Sequence, residues 1–215
     1  MMKQVFVFGL LVLGACKSGE NRAKPEPTPA APPPPPSPVP AAPNPLVELV
    51  SAPDLKSALA IAGPRMEDGE SFSGGHGLLV MWANTRMKWA DVSVQANETT
   101  YALVAKDSDH ERGKRVCLSG SVVEIHADKS VKPTVFTGGI IAESGNVFRF
   151  TAVHDTGEIA SGSQARFCGV ATEYQSYANS GGGTTHAACL VGMFDLPANR
   201  TWRSEADGAK PAAKL

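Results

Sequence analysis

The chain has 215 residues, with 20 lysines and arginines against 21 aspartates and glutamates and a formal net charge of -1. That balance excludes the strongly basic surface of a polyanion binder. Glycine (21) and proline (17) are both abundant, and most prolines stand ahead of residue 46, which leaves enough chain for one domain with a real core but not for two.

Residues 1–15 read as an export signal. Met1, Met2 and the charge of Lys3 precede a short apolar run, and small residues close it, as in a secretory signal. The run is too short to cross a bilayer as a stable helix, which takes about 20 residues. Leu13-Gly14-Ala15-Cys16 resembles the lipobox of bacterial lipoproteins. The resemblance implies that Cys16 is the mature first residue and carries acyl chains, so that membrane lipid is a partner. The alternative is a plain secretory signal with a chance cysteine. Each buried methylene contributes about 0.8 kcal/mol, and several chains together make a firm anchor where one does not. Lys17 stands where the family's inner-membrane retention signal has Asp, so the expected address is the cell envelope, at the outer membrane where there are two.

Residues 16–45 form a proline-rich, disordered linker with almost no large apolar side chain. Such a tract favours the polyproline II helix, and at about 3.1 Å per residue it extends roughly 80 Å.

Residues 46–107 form the helical part of the domain. Ser51-Ala52-Pro53-Asp54 matches a capping box, Leu55, Leu59 and Ala62 recur at helical spacing, and Gly63 stops the helix. Residues 65–77 read as a loop. Over residues 78–92, Leu78, Met81, Trp82 and Trp89 fall near one helix face, with Arg86 and Lys88 elsewhere. Trp82 and Trp89 are candidate ligand-binding residues, a platform for a sugar, although such a stripe is more often core. Residues 99–107 suit a helix through Tyr101, Val104 and Ala105 and suit a strand through their β-branched and aromatic content. The helix is preferred, and a charged turn follows over 107–113.

Residues 108–203 have β character. Val116, Leu118 and Val122 alternate with Arg115, Cys117, Ser119 and Glu124, the period of a half-buried strand over 114–126. Further strands are predicted over 134–142, 147–154, 166–174 and 186–194, with a hairpin signal at Glu143-Ser144-Gly145-Asn146, a loop over 155–163 and a flexible turn over 179–183. Residues 204–215 read as a flexible tail. The expected fold class is α+β: a small five-stranded barrel, closed or partly open, preceded by two or three short helices.

The segment from Arg112 and Gly113 through Lys114, Arg115, Val116, Cys117, Leu118, Ser119 and Gly120 to Ile125 resembles the first strand of bacterial OB-fold domains of the tRNA-anticodon-binding-like group. These open with Gly-Lys and carry a mid-strand glycine that lets the strand bend. The resemblance covers the first strand in detail and the next four by order and spacing. Besides Cys16 the chain has three cysteines, which in an exported protein suggests one disulfide and one unpaired thiol. An OB order would set the first strand beside the fourth. Cys117 and Cys168 both have polar neighbours and fall on the outer face, so the resemblance implies a Cys117 to Cys168 pair and leaves Cys189 as a buried thiol.

A fold does not fix a function. OB barrels that bind single strands offer a basic groove with aromatic platforms. Here the charge is balanced, only Phe148, Phe150, Tyr174 and Tyr177 are candidate platforms, and an exported chain meets little nucleic acid. Cys168, His186 and Cys189 invite a metal reading, but structural zinc wants four ligands and only His186 and Cys189 have ligand spacing. No nucleophile elbow, zinc-protease motif, phosphate loop or cofactor motif is present. His154 and Asp155 are adjacent at a strand end, where a solvated turn is the commoner outcome. The expectation is a non-catalytic binding or structural module for another envelope component, a protein or a cell-wall polymer. The alternatives are a small envelope hydrolase or redox protein using Cys189 or His186, and a cell-wall oligosaccharide-binding module.

Overall fold

The computed structural model describes residues 44–178 and 182–202, so Cys16, nearly all of the linker, the centre of the last hairpin turn and the tail beyond Trp202 lie outside the described residues. The fold is α+β. Among the described residues six short α-helices, not the two or three expected, precede the first strand, because single capped turns were not visible as periodic runs: α1 (Pro45–Ser51), α2 (Leu55–Ala62), α3 (Gly74–Arg86), α4 (Trp89–Val92), α5 (Tyr101–Lys106) and α6 (Ser108–Glu111). Five strands follow, β1 (Arg115–Asp128), β2 (Val135–Ala142), β3 (Val147–Ala152), β4 (Gln164–Ala178) and β5 (Thr184–Phe194), and a last helix, α7 (Pro197–Thr201).

Side chains that satisfy the first free N–H groups set most of the helix starts. Asn44, Asp54, Ser73, Thr100 and Asp107 accept from Leu46, Ser57, His76, Leu103 and His110 respectively. Asp54, not Ser51, therefore caps α2, and Ser51 ends a helix that the sequence reading missed because Pro45 looks like linker. The single helix predicted over residues 78–92 is two, parted at Met87 and Lys88. The first of them begins earlier, at Gly74. Glycine is a poor helix former, but a side chain on Gly75 would stand 2.4 Å from the Met66 nitrogen, so close contact with the preceding turn overrides propensity there. Met81 points outward, 53% exposed, so the expected stripe is only partly core.

The sheet closes on itself in the order β1-β2-β3-β5-β4, and β4 returns to β1. All pairs are antiparallel except β3 with β5. One strand serves two ladders: β1 pairs β4 through Arg115 to Ser121 and β2 through Gly120 to Asp128. Gly120 belongs to both, and a Cβ there would stand 2.1 Å from the Ile141 carbonyl oxygen.

Two apolar cores result. Phe150, Phe167 and Phe194 meet inside the ring with centroids 5.1 to 5.3 Å apart, together with Val116, Leu118 and Leu190. Outside the wall, Val170, Val191 and Met193 pack under Leu49, Leu79 and Met87 of the helical layer. Because helices cover this part of the sheet, β5 is buried on both faces from Ala187 to Phe194 and carries a continuous apolar run.

Gly192 faces Gly169 across the β4–β5 ladder, and an added Cβ would lie 2.1 Å from the Cys168 carbonyl oxygen and 2.5 Å from the Gly169 Cα. Backbone cannot yield as a side-chain tip does. Gly192→Ala should cost about 3 kcal/mol of stability in denaturant unfolding. A loss near zero would show that the two strands part without penalty.

Candidate functional site

Cys117 and Cys168 stand opposite each other on β1 and β4 and form a disulfide, with Cα atoms 4.1 Å apart. Cys168 faces outward from the ring as its polar neighbours implied, but the helical layer covers that face and buries it completely. Cys189 is a free, buried thiol, and burial, with the Glu173 carboxylate adding to it, pushes its pKa well up. A thiol so placed is a poor nucleophile.

The two tryptophans are not brought together. Trp82 is 3% exposed, donates its indole N–H to the Ala52 carbonyl at 3.0 Å, and backs an apolar cavity of about 560 Å³ with Leu49, Val50 and Met81. Trp89 opens α4 and lines a different cavity beside Arg166 and Arg200. Nor do the candidate metal and catalytic residues assemble. Cys168 is spent in the disulfide; His186 lies parallel to the Tyr174 ring and pairs through Nδ1 with the Ser176 hydroxyl at 2.8 Å. His154 donates from Nε2 to the Met87 carbonyl at 3.0 Å and stacks on Trp202, while Asp155 accepts from the Gly157 N–H. Among the described residues no group of three or more His, Cys, Asp or Glu is placed to hold a metal ion.

The polar groups that do converge lie elsewhere, on the outer face of β3 and β4 beside the start of α3. A register shift between Ala171 and Glu173 inserts an extra residue in β4. Alternation alone would give Glu173 the inward direction of Ala171; the bulge turns Glu173, Gln175 and Tyr177 outward instead. Arg149, midway along β3 and paired with Gly139 and Cys189, meets them there. Its guanidinium lies 4.7 Å from the Phe72 ring centre and 5.4 Å from that of Tyr177, and one Nη1–H donates to Gln175 Oε1 at 2.6 Å. Cation–π contacts of this kind hold a guanidinium in place. Gln175 in turn donates to Glu173 at 2.8 Å, and Glu173 accepts from the Ser73 hydroxyl at 2.5 Å and from the Ser73 backbone N–H. Burial raises the Glu173 pKa against these hydrogen bonds, which lower it.

His76, in the first turn of α3, is locked beneath this cluster. The Thr172 hydroxyl donates to the Cys189 carbonyl at 3.1 Å, so its oxygen is free to accept from His76 Nδ1–H at 3.0 Å. That leaves His76 Nε2 to accept from the Thr151 hydroxyl at 2.8 Å, which makes the ring neutral. Burial, and secondarily the charge of Arg149, lower its pKa to about 3. With both nitrogens bonded to threonines and the ring buried, His76 has no proton to exchange with a substrate.

Phe72 stacks on His76 with centroids 4.1 Å apart and also forms one wall of a cleft of about 460 Å³ floored by Thr137 and Thr151. The site therefore consists of a half-buried cation on an aromatic support beside a largely apolar cleft. It has donors for recognition and no paired acid and base for catalysis. Sequence reading missed Arg149, although a lone arginine between Phe148 and Phe150 in a β run was the visible signal. Of the four candidate aromatics, Phe148 and Phe150 are buried, and Tyr177 alone supports the cation.

No protein-family model matches the chain, and no curated protein sequence matches it significantly.

Proposed function

We propose that this chain is an envelope lipoprotein whose domain is a non-catalytic binding module for another envelope component. In this reading the acylated Cys16 holds the protein at the membrane, the proline tract spaces the domain from lipid, and the closed sheet is an OB-like barrel. The barrel reading is supported by the β1-β2-β3-β5-β4 order, by the parallel β3–β5 pair and by Gly120 at the bend of the first strand. Binding is favoured over catalysis by one observation above all. The convergent polar cluster around Arg149 presents a cation beside a cleft, while every candidate nucleophile or base is buried, disulfide-bonded or tied to a structural partner.

Crosslinking in intact cells and recovery through the domain should yield an envelope component absent from a control carrying the tether and linker alone. Recovery of nothing above that control sinks the module. Separately, Cys16→Ala should move the protein out of the membrane fraction and abolish the mass added by acylation. An unchanged fraction and mass overturns the anchor.

A further inference from the structure

We infer that Arg149 receives a carboxylate of the bound component, an inference that rests on the binding-module reading. Arg149 is half-buried and positively charged, yet the one hydrogen bond of its side chain among the described residues goes to the neutral Gln175. The ion pairs among those residues engage Arg112, Arg115, Arg166 and Arg200, and not Arg149. Two acids share this sheet face and neither forms an ion pair with Arg149: Gln175 bonds to both Arg149 and Glu173, whose oxygens are taken up by Ser73 and Gln175, and Glu124, one strand beyond Gly139, pairs with His126. The charge of Arg149 acts on His76, Tyr177 and Cys189, all neutral near pH 7; Tyr177 also feels Glu124, and Cys189 also feels Glu173 and Asp68.

A charge held partly out of water with no acid in contact is costly, so an arginine here calls for a partner. The Nε and Nη2 donors make no hydrogen bond among the described residues. They form the side-on edge of the guanidinium, two parallel donors whose spacing matches the two oxygens of a carboxylate. Phe72 and Tyr177 hold the guanidinium, and Gln175 fixes its far corner, so little rotamer freedom remains to be lost on binding. Gly139, next to Arg149 across the β2–β3 ladder, carries no side chain of its own; Glu124, paired with it from β1, reaches over it, with Oε1 3.8 Å from where a Gly139 Cβ would stand, so an incoming carboxylate approaches Arg149 from the Phe72 side. Phe72 is shared between the cation and the cleft, so a ligand with its body in the cleft has its acid group within reach of Arg149.

The test uses the mature lipidated chain in detergent micelles, labelled with ¹⁵N, and follows the Arg149 Nε–Hε resonance, assigned by its loss in Arg149→Gln. N-acetyl-alanyl-alanine with a free carboxylate should shift that resonance saturably. The same peptide as its C-terminal amide should not. In Arg149→Gln, where that resonance is gone, the backbone amide shifts of Gly139 and Gln175 should report an affinity for the acid about tenfold or more lower, the range for hydrogen bonds to charged groups. An equal response to acid and amide overturns the inference, as does a shift with inorganic phosphate and none with the carboxylate peptide. The acid-to-amide comparison is made on the wild-type chain, so it stands even if the variant folds poorly. If the crosslinked component is still recovered while the resonance stays still, the carboxylate assignment alone has failed. If nothing is recovered, the module itself has.

Discussion

The domain should be about 2 kcal/mol less stable at pH 5 than at pH 7, and about 4 kcal/mol less stable at pH 3, because of His76 alone. The sign follows from its tautomer. In the folded protein both ring nitrogens are engaged by threonine hydroxyls, and burial lowers the pKa from 6.5 to about 3. Unfolded chains take up the proton at the ordinary value, so between those limits the unfolded state binds more protons and stability falls with pH. His154, also lowered by burial, acts in the same direction. Glu173 acts in the opposite one: its raised pKa lets the folded protein take up a proton first, a stabilisation gained as pH falls toward 4.5. The lowered carboxyls of Asp54, Glu98, Glu111 and Asp128 add further losses below about pH 4.5, so the comparison that isolates His76 is with His76→Gln. A glutamine amide supplies one donor to Thr172 and one acceptor to Thr151 but cannot be protonated. Urea unfolding at several pH values should give diverging curves for wild type and variant below pH 6.5, with the variant flatter. Parallel curves would mean that His76 is protonated in the folded state and that the threonine bonds are not as described.

Much of the sheet was legible because its residues repeat with period two wherever one side of a strand lines the ring and the other does not. Val116, Leu118 and Val122 point inward as their alternation requires, and the hairpin signal at Glu143 to Asn146 does join two strands. The helical layer was less legible, since its helices are short and owe their ends to caps more than to periodicity. Ser108–Glu111, read as a charged turn, is a single helical turn capped by Asp107, and Pro197–Thr201 has too few residues to show a period at all. The cluster around Arg149 was hidden for a different reason. A one-residue bulge in β4 reverses which side chains face outward, and no pattern in Ala171-Thr172-Glu173-Tyr174-Gln175 announces it. The cysteine pairing was reached through strand order, which places residues far apart in sequence. Its surroundings were not, because the covering of that face by helices is a tertiary fact.

Breaking the Cys117–Cys168 bond is the second large effect, with an expected loss of about 4 kcal/mol in unfolding free energy. The two cysteines are 51 residues apart, and the chain-entropy relation for a loop of that length gives about 14 cal/mol/K of denatured-state entropy released on cleavage. The bond also joins β1 to β4, the pair that closes the ring. Without it, the closing ladder must be found by a chain whose two edges are free to diffuse apart, so refolding should slow as well as stability fall. Alkylation of the denatured, unreduced mature chain should add one label, on Cys189, and reduction first should add three, provided Cys16 is acylated. Guanidinium titrations with and without reductant then read the loss directly, and the Cys117→Ser, Cys168→Ala double variant should reproduce it plus about 1 kcal/mol for the truncated core side chain. The slope of the transition should steepen on reduction, because an uncrosslinked chain exposes more surface when unfolded. A midpoint that stays put would show that the unfolded ensemble keeps β1 and β4 together by other contacts, and the closing of the ring would then owe nothing to the covalent bond.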